Sequence, residues 1–250
     1  MTVAIAGAIA LELKGIRRLG RFRGSSAGGT DYEAGGIHGV DVALFVSGVG
    51  EDAAYRTAKA ACEALPLAAY VSIGLSGALD PGLRRGDIVI GTSAASLDSP
   101  GAVYPCDGGL LESAKAALPG KAIISGPLVA SGRVFVTAEE KRKYFGGEGS
   151  KPLAVDMETF GAARACSEAG VPFLAVRAIS DTLDEDLPVD FNRFMEGGQM
   201  RWPAFLIHVL ARPRAVPPLM RLGRHSKAAA DNLARFIGEF LLKCREQGRV

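Results

Sequence analysis

Two acidic motifs stand one helix apart in the chain. Ala154-Val155-Asp156-Met157-Glu158-Thr159 puts carboxylates where an apolar strand gives way to a helix. Val176-Arg177-Ala178-Ile179-Ser180-Asp181 puts another at the end of the next apolar run. The stretch between them, 158–169, has helical composition and stops at Gly170, a suitable left-handed cap. A β-α-β unit of this kind would bring both strand ends to one edge of a parallel sheet. That carboxyl edge is where ligands bind in open α/β folds, and carboxylates there can move protons or hold hydroxyl groups. An ordinary reading is equally open at this point. Asp156 or Glu158 would then be first-turn helix charges, and Asp181 a turn or cap residue.

Two glycine motifs compete for attention. Ser47-Gly48-Val49-Gly50-Glu51-Asp52-Ala53 contains G-x-G-x-x-A between a strand and a helix, as dinucleotide sites do. Such sites also need an acid at the end of the next strand, and 68–74 offers none. A tight turn is the simpler reading of these glycines, with an anion or water site at the helix N-terminus as the alternative. Gly74-Leu75-Ser76-Gly77-Ala78 falls one residue short of a nucleophile elbow. Pro81, Gly82 and Gly86 follow it as a strand-to-strand loop, which disfavours a serine hydrolase. Cys62, Cys106, Cys166 and Cys244 form no C-x-x-C pair, and His38, His208 and His225 lack metal-ligand spacing. No metal and no resident cofactor are expected.

The elements that must position these residues follow from the apolar pattern. Strand-length runs recur at 3–8, 42–47, 69–74, 88–91, 123–130, 153–155 and 173–179. Helical stretches at 51–64, 110–118, 138–145 and 158–169 lie between several of them. Strands apolar on both faces, alternating with helices, predict a three-layer α/β/α fold around a mixed, mostly parallel sheet. The 250 residues read as a single domain, 1–250. The opening run lacks a basic flank and reads as a buried strand, so a cytoplasmic chain is expected.

Net charge is only +2, but residues 201–250 hold ten Lys and Arg against three acids. From Gly197 to Ala230 there is no acid at all, and apolar residues alternate with arginines. Pro213, Pro217 and Pro218 predict a broken segment there, a basic apolar insertion at 197–230 before a final helix near 228–243. A surface that leans on anionic lipid at the inner membrane would have this composition, as would a packing loop or an oligomer contact. A nucleic-acid binder would be basic throughout, so none is expected.

At these residues the chain resembles the purine nucleoside and uridine phosphorylase superfamily. It is most similar to the branch holding 5′-methylthioadenosine/S-adenosylhomocysteine nucleosidases. The likeness runs from the first strand to about Phe194 through separated motifs in the family's order: Gly7-Ala8 with Glu12, 47–50, Gly74 with 86–89, Ser131-Gly132 to Phe135, 155–158 and 177–181. It implies cleavage of a purine nucleoside, adenosine-like and 5′-substituted, at its N-ribosidic bond. In that reading Glu158 grips the ribose hydroxyls and Met157 packs against the sugar. Asp181 protonates or hydrogen-bonds N7 of the leaving base. Phe135 stacks on the base, Val136 reads its edge through the backbone, and Ser180 lies beside it. Ile9 and Phe191 line the 5′ side.

The attacking group belongs to Glu12, assisted by Arg177, within a pocket of Gly7, Gly48, Gly50, Leu75 and Ser76. Leu75 stands where those nucleosidases carry a serine, and Arg133 where they usually carry an aspartate. Water and inorganic phosphate both remain open as nucleophile. The likeness also implies a homo-oligomer, a dimer or larger. The chain is similar, too, to the hopanoid-associated phosphorylases, whose adenosine substrate bears a polycyclic lipid on its 5′ carbon; segment 201–227 would then form the mouth of a greasy channel. Two other classes stay in view: a non-catalytic lipid-binding protein, resting on the tail, and an NAD-dependent oxidoreductase, resting on Gly48 and Gly50 alone.

Overall fold

Apolar side chains on both faces make β1 (Thr2–Gly7) a central strand, because every residue from Val3 to Gly7 is buried. The computed structural model describes residues 1–117, 124–145, 151–196 and 199–250. After β1 come a one-turn helix α1 (Ala10–Leu13), a hairpin β2 (Arg21–Ala27) and β3 (Thr30–Ile37), then β4 (Val40–Val46) and α2 (Glu51–Ala64). The long β5 (Leu67–Ala78) is followed by β6 (Ile88–Ser96), β7 (Val103–Pro105), α3 (Gly108–Ala116), β8 (Ile124–Ala130) and α4 (Ala138–Phe145). The chain continues through β9 (Ala154–Asp156), α5 (Thr159–Ala169), β10 (Phe173–Asp181), α6 (Trp202–Leu210) and α7 (Val216–Glu246).

The layers are as expected. Helices α2 and α5 pack together on one face of the sheet, and α7 with α1 and α3 covers the other. The sheet is mixed. Parallel pairings join β4, β1, β5 and β10, and again β6, β8 and β9, while the hairpin, β7 and the β6–β10 and β5–β9 pairs are antiparallel. Because β10 pairs both β5 and β6, and β9 pairs both β5 and β8, these strands close into a small ring.

That ring corrects the expected β-α-β geometry. Strand β10 runs parallel to β5, but β9 runs antiparallel to it, pairing with Gly77 and Ala78 at its carboxyl end. The two acidic motifs therefore meet because β9 lies across the end of β5, not as parallel neighbours in an open sheet.

Helices 51–64 and 138–145 stand where the sequence puts them, and Gly170 caps α5 in the left-handed conformation at φ 65°. The expected ends at Leu118 and Ile123 lie outside the described residues. The hairpin went unread because its strands are polar and half-exposed, although Gly28-Gly29, both at positive φ, supply the turn such hairpins favour. The tail differs most. Pro217 and Pro218 occupy the first turn of α7, where a missing N–H breaks no helical bond. So α7 runs for 31 residues from Val216, and with α6 it makes most of the expected insertion helical. Among the described residues no helix is long and apolar enough to cross a membrane.

Candidate active site

Glu12 is the most enclosed acid of the site, 4% exposed. Its Oε1 accepts from the Leu75 amide at 2.9 Å and its Oε2 from the Ile9 amide at 3.1 Å. Helix α1 exists to hold it, since Glu12 closes the turn as a capping residue. Glycine makes the approach possible: a Cβ on Gly7 or Gly74 would stand 3.1 Å from a Glu12 oxygen. Burial pushes the Glu12 carboxyl above the usual carboxylate range; its backbone hydrogen bonds and the Arg177 guanidinium oppose that rise.

Glu158 lines, with Glu12, a cavity of about 310 Å³. Its Oε1 accepts from the Gly50 amide at 2.9 Å. The amide at the start of α2, left free by the 47–50 turn, thus receives a carboxylate from this same chain. Gly48 and Gly50 adopt φ of 81° and 98°, so the glycines serve the turn. Burial, then Asp156, then Glu12 push Glu158 up to about 8.

A sign follows for stability. The folded state binds the Glu158 proton more tightly than the unfolded chain, whose pKa is near 4.5, so this contribution is complete below about 4.5 and lost as pH rises towards about 8. Melting temperature is expected to fall over that window, and to fall less in Glu158→Gln. Equal slopes in the two proteins would remove the electrostatic assignment.

Asp181 ends β10, and its Oδ1 lies 2.6 Å from Ser180 Oγ, which is also 3.2 Å from the Ser76 carbonyl. Phe135 forms a second wall, stacked on Tyr144 at 5.0 Å between centroids, with the Arg133 guanidinium 5.4 Å from its ring and paired to Glu140. Met157, Leu75, Ser76, Ile9 and Phe191 also line the cavity. Among the described residues the buried Ser76 hydroxyl has no hydrogen-bond partner, and Ser76 lines the cavity.

Two expected residues are placed otherwise. Arg177 is wholly buried and does not reach the cavity. From the middle of β10 its guanidinium pairs with Asp156 and donates to the Ser72 carbonyl, the Val176 carbonyl and Ser72 Oγ at 2.9–3.0 Å. It is a counter-charge beneath the carboxylates rather than a hand for the attacking group. Asp156, held also by Thr159, fixes the start of α5, so its ordinary reading stands. Val136 lies outside the cavity lining: its N–H donates to Glu140 at 2.7 Å and its carbonyl accepts from Leu187 at 2.7 Å, so neither group faces a base.

Asn192 and Lys141 were missed. Asn192 clamps the Val134 backbone through bonds of 2.8 and 2.9 Å and so sets Phe135; nothing local in the sequence marks it. Lys141 pairs with Asp181 and shares the buried face of α4 with Ala138. A lysine three residues from an alanine on an apolar helix face was the available signal.

Three carboxylates, an aromatic ring and a strand-end acid thus line one small cavity. The Phosphorylase superfamily model matches residues 2–211, and the chain belongs to that family of enzymes. It is 29% identical over 214 residues, covering 78% of this chain and 91% of the relative, to a 5′-methylthioadenosine/S-adenosylhomocysteine nucleosidase of Geobacillus kaustophilus. The Neisseria meningitidis nucleosidase of the same name, solved with methylthio-immucillin-A, is similar over 96% of this chain and 98% of its own, with 26% identity and a TM-score of 0.75. At 18% identity, a Helicobacter pylori futalosine hydrolase shares the fold, with a TM-score of 0.75 over 96% of this chain and 97% of its own.

Proposed function

We propose that this enzyme cleaves the N-ribosidic bond of a 5′-substituted, adenosine-like purine nucleoside, with water as the attacking group. The carrying observation is the single cavity lined by Glu12, Met157-Glu158, Phe135 and Asp181. Cleavage passes through an oxocarbenium-like ribosyl cation, as glycoside hydrolysis does. Glu158 takes the ribose hydroxyls, Met157 the sugar face, Phe135 the base and Asp181 its N7. Glu12 orients the water and accepts its proton.

Electrostatics supports water over phosphate. Glu12, Asp156 and Glu158 all line the cavity, and the nearby Arg177 is already spent on Asp156. A phosphate would enter a pocket of carboxyl groups with no unpaired cation among the described residues to receive it, and its negative charge would add to the same repulsion that raises Glu158. The cations that do line the cavity, Arg133 and Lys141, are paired with Glu140 and Asp181 beside the base wall. The Geobacillus and Neisseria relatives, named as nucleosidases, support the same choice.

The 5′ substituent is read from the outer rim. Phe191, on the 5′ side, stacks on Phe205 of α6 at 6.0 Å between centroids, and a chamber of about 960 Å³, lined in part by Arg212, Arg214 and Arg221, adjoins the cavity at Ser180, Asp181, Leu187 and Leu222. Leu206, Ile207, Leu210 and Met220 stand exposed nearby on α6 and α7, Leu210 at 80%. A greasy lip among arginines supports a long apolar substituent, up to a polycyclic lipid of the hopanoid kind, taken from an anionic membrane surface by a cytoplasmic homo-oligomer.

One assay tests these readings together. 5′-Methylthioadenosine and a long 5′-alkyl adenosine, the latter free or in anionic vesicles, are incubated with and without phosphate, and free base is measured. Release from both without phosphate, with vesicle-bound substrate still cleaved, is expected. Phosphate-dependent release would replace water as nucleophile, inertness of the vesicle arm would remove the membrane role, and no release at all would remove the nucleosidase reading.

A further inference from the structure

A leaving purine needs a proton, and the acid placed to give it does not stand alone. Lys141 Nζ, with no exposure to solvent, pairs with Asp181 Oδ2. It also donates to the carbonyls of Thr182 at 2.8 Å and Glu185 at 2.9 Å. Three acceptors therefore answer three ammonium hydrogens. Gly77 gives the pair its room: a Cβ there would lie 3.2 Å from Asp181 Oδ2 and 3.7 Å from Lys141 Cε. Both charged side chains line the cavity.

A purely structural role explains this arrangement poorly. Lysine is almost never fully buried unless it is paired, and as a device for stability alone an apolar side chain of similar volume often serves as well as a buried ion pair does. The pair faces the place where the leaving base must sit.

We propose that Lys141 is the source of the proton that Asp181 passes to the leaving base. The inference rests on the nucleoside-cleaving reading above. In the resting site the pair is ammonium and carboxylate. A bound purine displaces water, which removes solvation from the ion pair and narrows its advantage over the neutral pair. As the ribosyl C1′–N9 bond breaks, its electron pair enters the purine. An Nζ–H bond of Lys141 then breaks as its proton passes to the Asp181 carboxylate, and a carboxyl proton is taken by the lone pair of N7. Water adds to C1′ and loses its proton to Glu12. Lys141 is left as a neutral amine whose two N–H groups still serve Thr182 and Glu185, so neither carbonyl loses its donor. After the base leaves, the Asp181 carboxylate, which alone of the pair meets solvent, takes up a proton and returns it to the amine, and Glu12 releases its own.

Leaving-group dependence tests this step, because 4-nitrophenolate departs from a riboside without needing a proton. Lys141→Met is expected to slow cleavage of 5′-methylthioadenosine roughly 100-fold or more, within the usual range for general acid help. Cleavage of 4-nitrophenyl β-D-riboside should fall by less than about a tenth of that factor. Asp181→Asn should show the same split. Lys141→Arg keeps the charge but has no transferable proton at working pH, so it should behave like Lys141→Met. Equal loss on both substrates, near-wild-type purine cleavage in Lys141→Met, or rescue by arginine would each overturn the proposal. Wild-type inertness towards both substrates would instead overturn the underlying reading, and this step with it.

Discussion

Glu12→Gln is expected to slow base release by about a thousandfold, in the middle of the 10²–10⁴ range for a positioned acid or base, while substrate binding changes little. Both carboxylate oxygens of Glu12 accept backbone N–H bonds, from Leu75 and Ile9. An amide must turn its NH2 towards one of those donors, so the side chain loses its aim as well as its basicity. Burial raises the Glu12 carboxyl, bringing it nearer the pH at which a base works best. Activity that needs Glu12 ionised should therefore fall on the acid side at a pH above the ordinary carboxylate range. Single-turnover rates and equilibrium binding, measured from pH 4 upward, check both statements. A variant with near-wild-type single-turnover rates would remove Glu12 from the attacking step.

Arg177→Met is expected to show the largest loss of stability. The guanidinium is wholly buried and so is its partner, Asp156, whose side chain is 1% exposed. Removing one member of such a pair leaves an uncompensated charge, at a cost of about 3–5 kcal/mol. For a domain of this size that is roughly 6–20 °C in melting temperature. The double variant Asp156→Asn, Arg177→Met removes both charges and should regain much of the loss. Calorimetry of the two single variants and the double variant decides it. A double variant no more stable than Arg177→Met alone would mean that the pair is not what Arg177 contributes. The expected assistance of Arg177 to the attacking group is thereby recast: it acts by relieving the carboxylates around it.

What could be read from the chain divides along physical lines. Strands β1, β5 and β10 announce themselves because they are apolar on both faces, and α2 and α4 because their composition is helical from end to end. Glu12, Glu158, Phe135 and Asp181 were found by motif, and the fold brings them to one cavity. Direction within the sheet was not legible. Nothing in three residues, Ala154–Asp156, says that they run against β5, so the ring could not be foreseen. Contacts formed by long side chains across elements were equally hidden: Lys141 reaches Asp181 from α4, forty positions away. Prolines misled for a local reason, since their effect depends on whether they fall in a helix's first turn or its middle.

Helix α7 has a mechanical meaning beyond its residues. At 1.5 Å per residue its 31 residues make a rod roughly 46 Å long. The first half carries exposed Met220 and Leu222 of the cavity wall; the second half is packed from Ala229 to Cys244 against β10 and β5. Strand β10 bears both Arg177 and Asp181. One stiff part therefore runs from the cavity rim to the strand that carries Asp181. Helix α6 is joined to it by the short turn Pro213–Ala215 and is pinned at its inner side where Phe205 and His208 pack on Phe191 and Phe194. So α7 is the post, and α6 a leaf with its own latch.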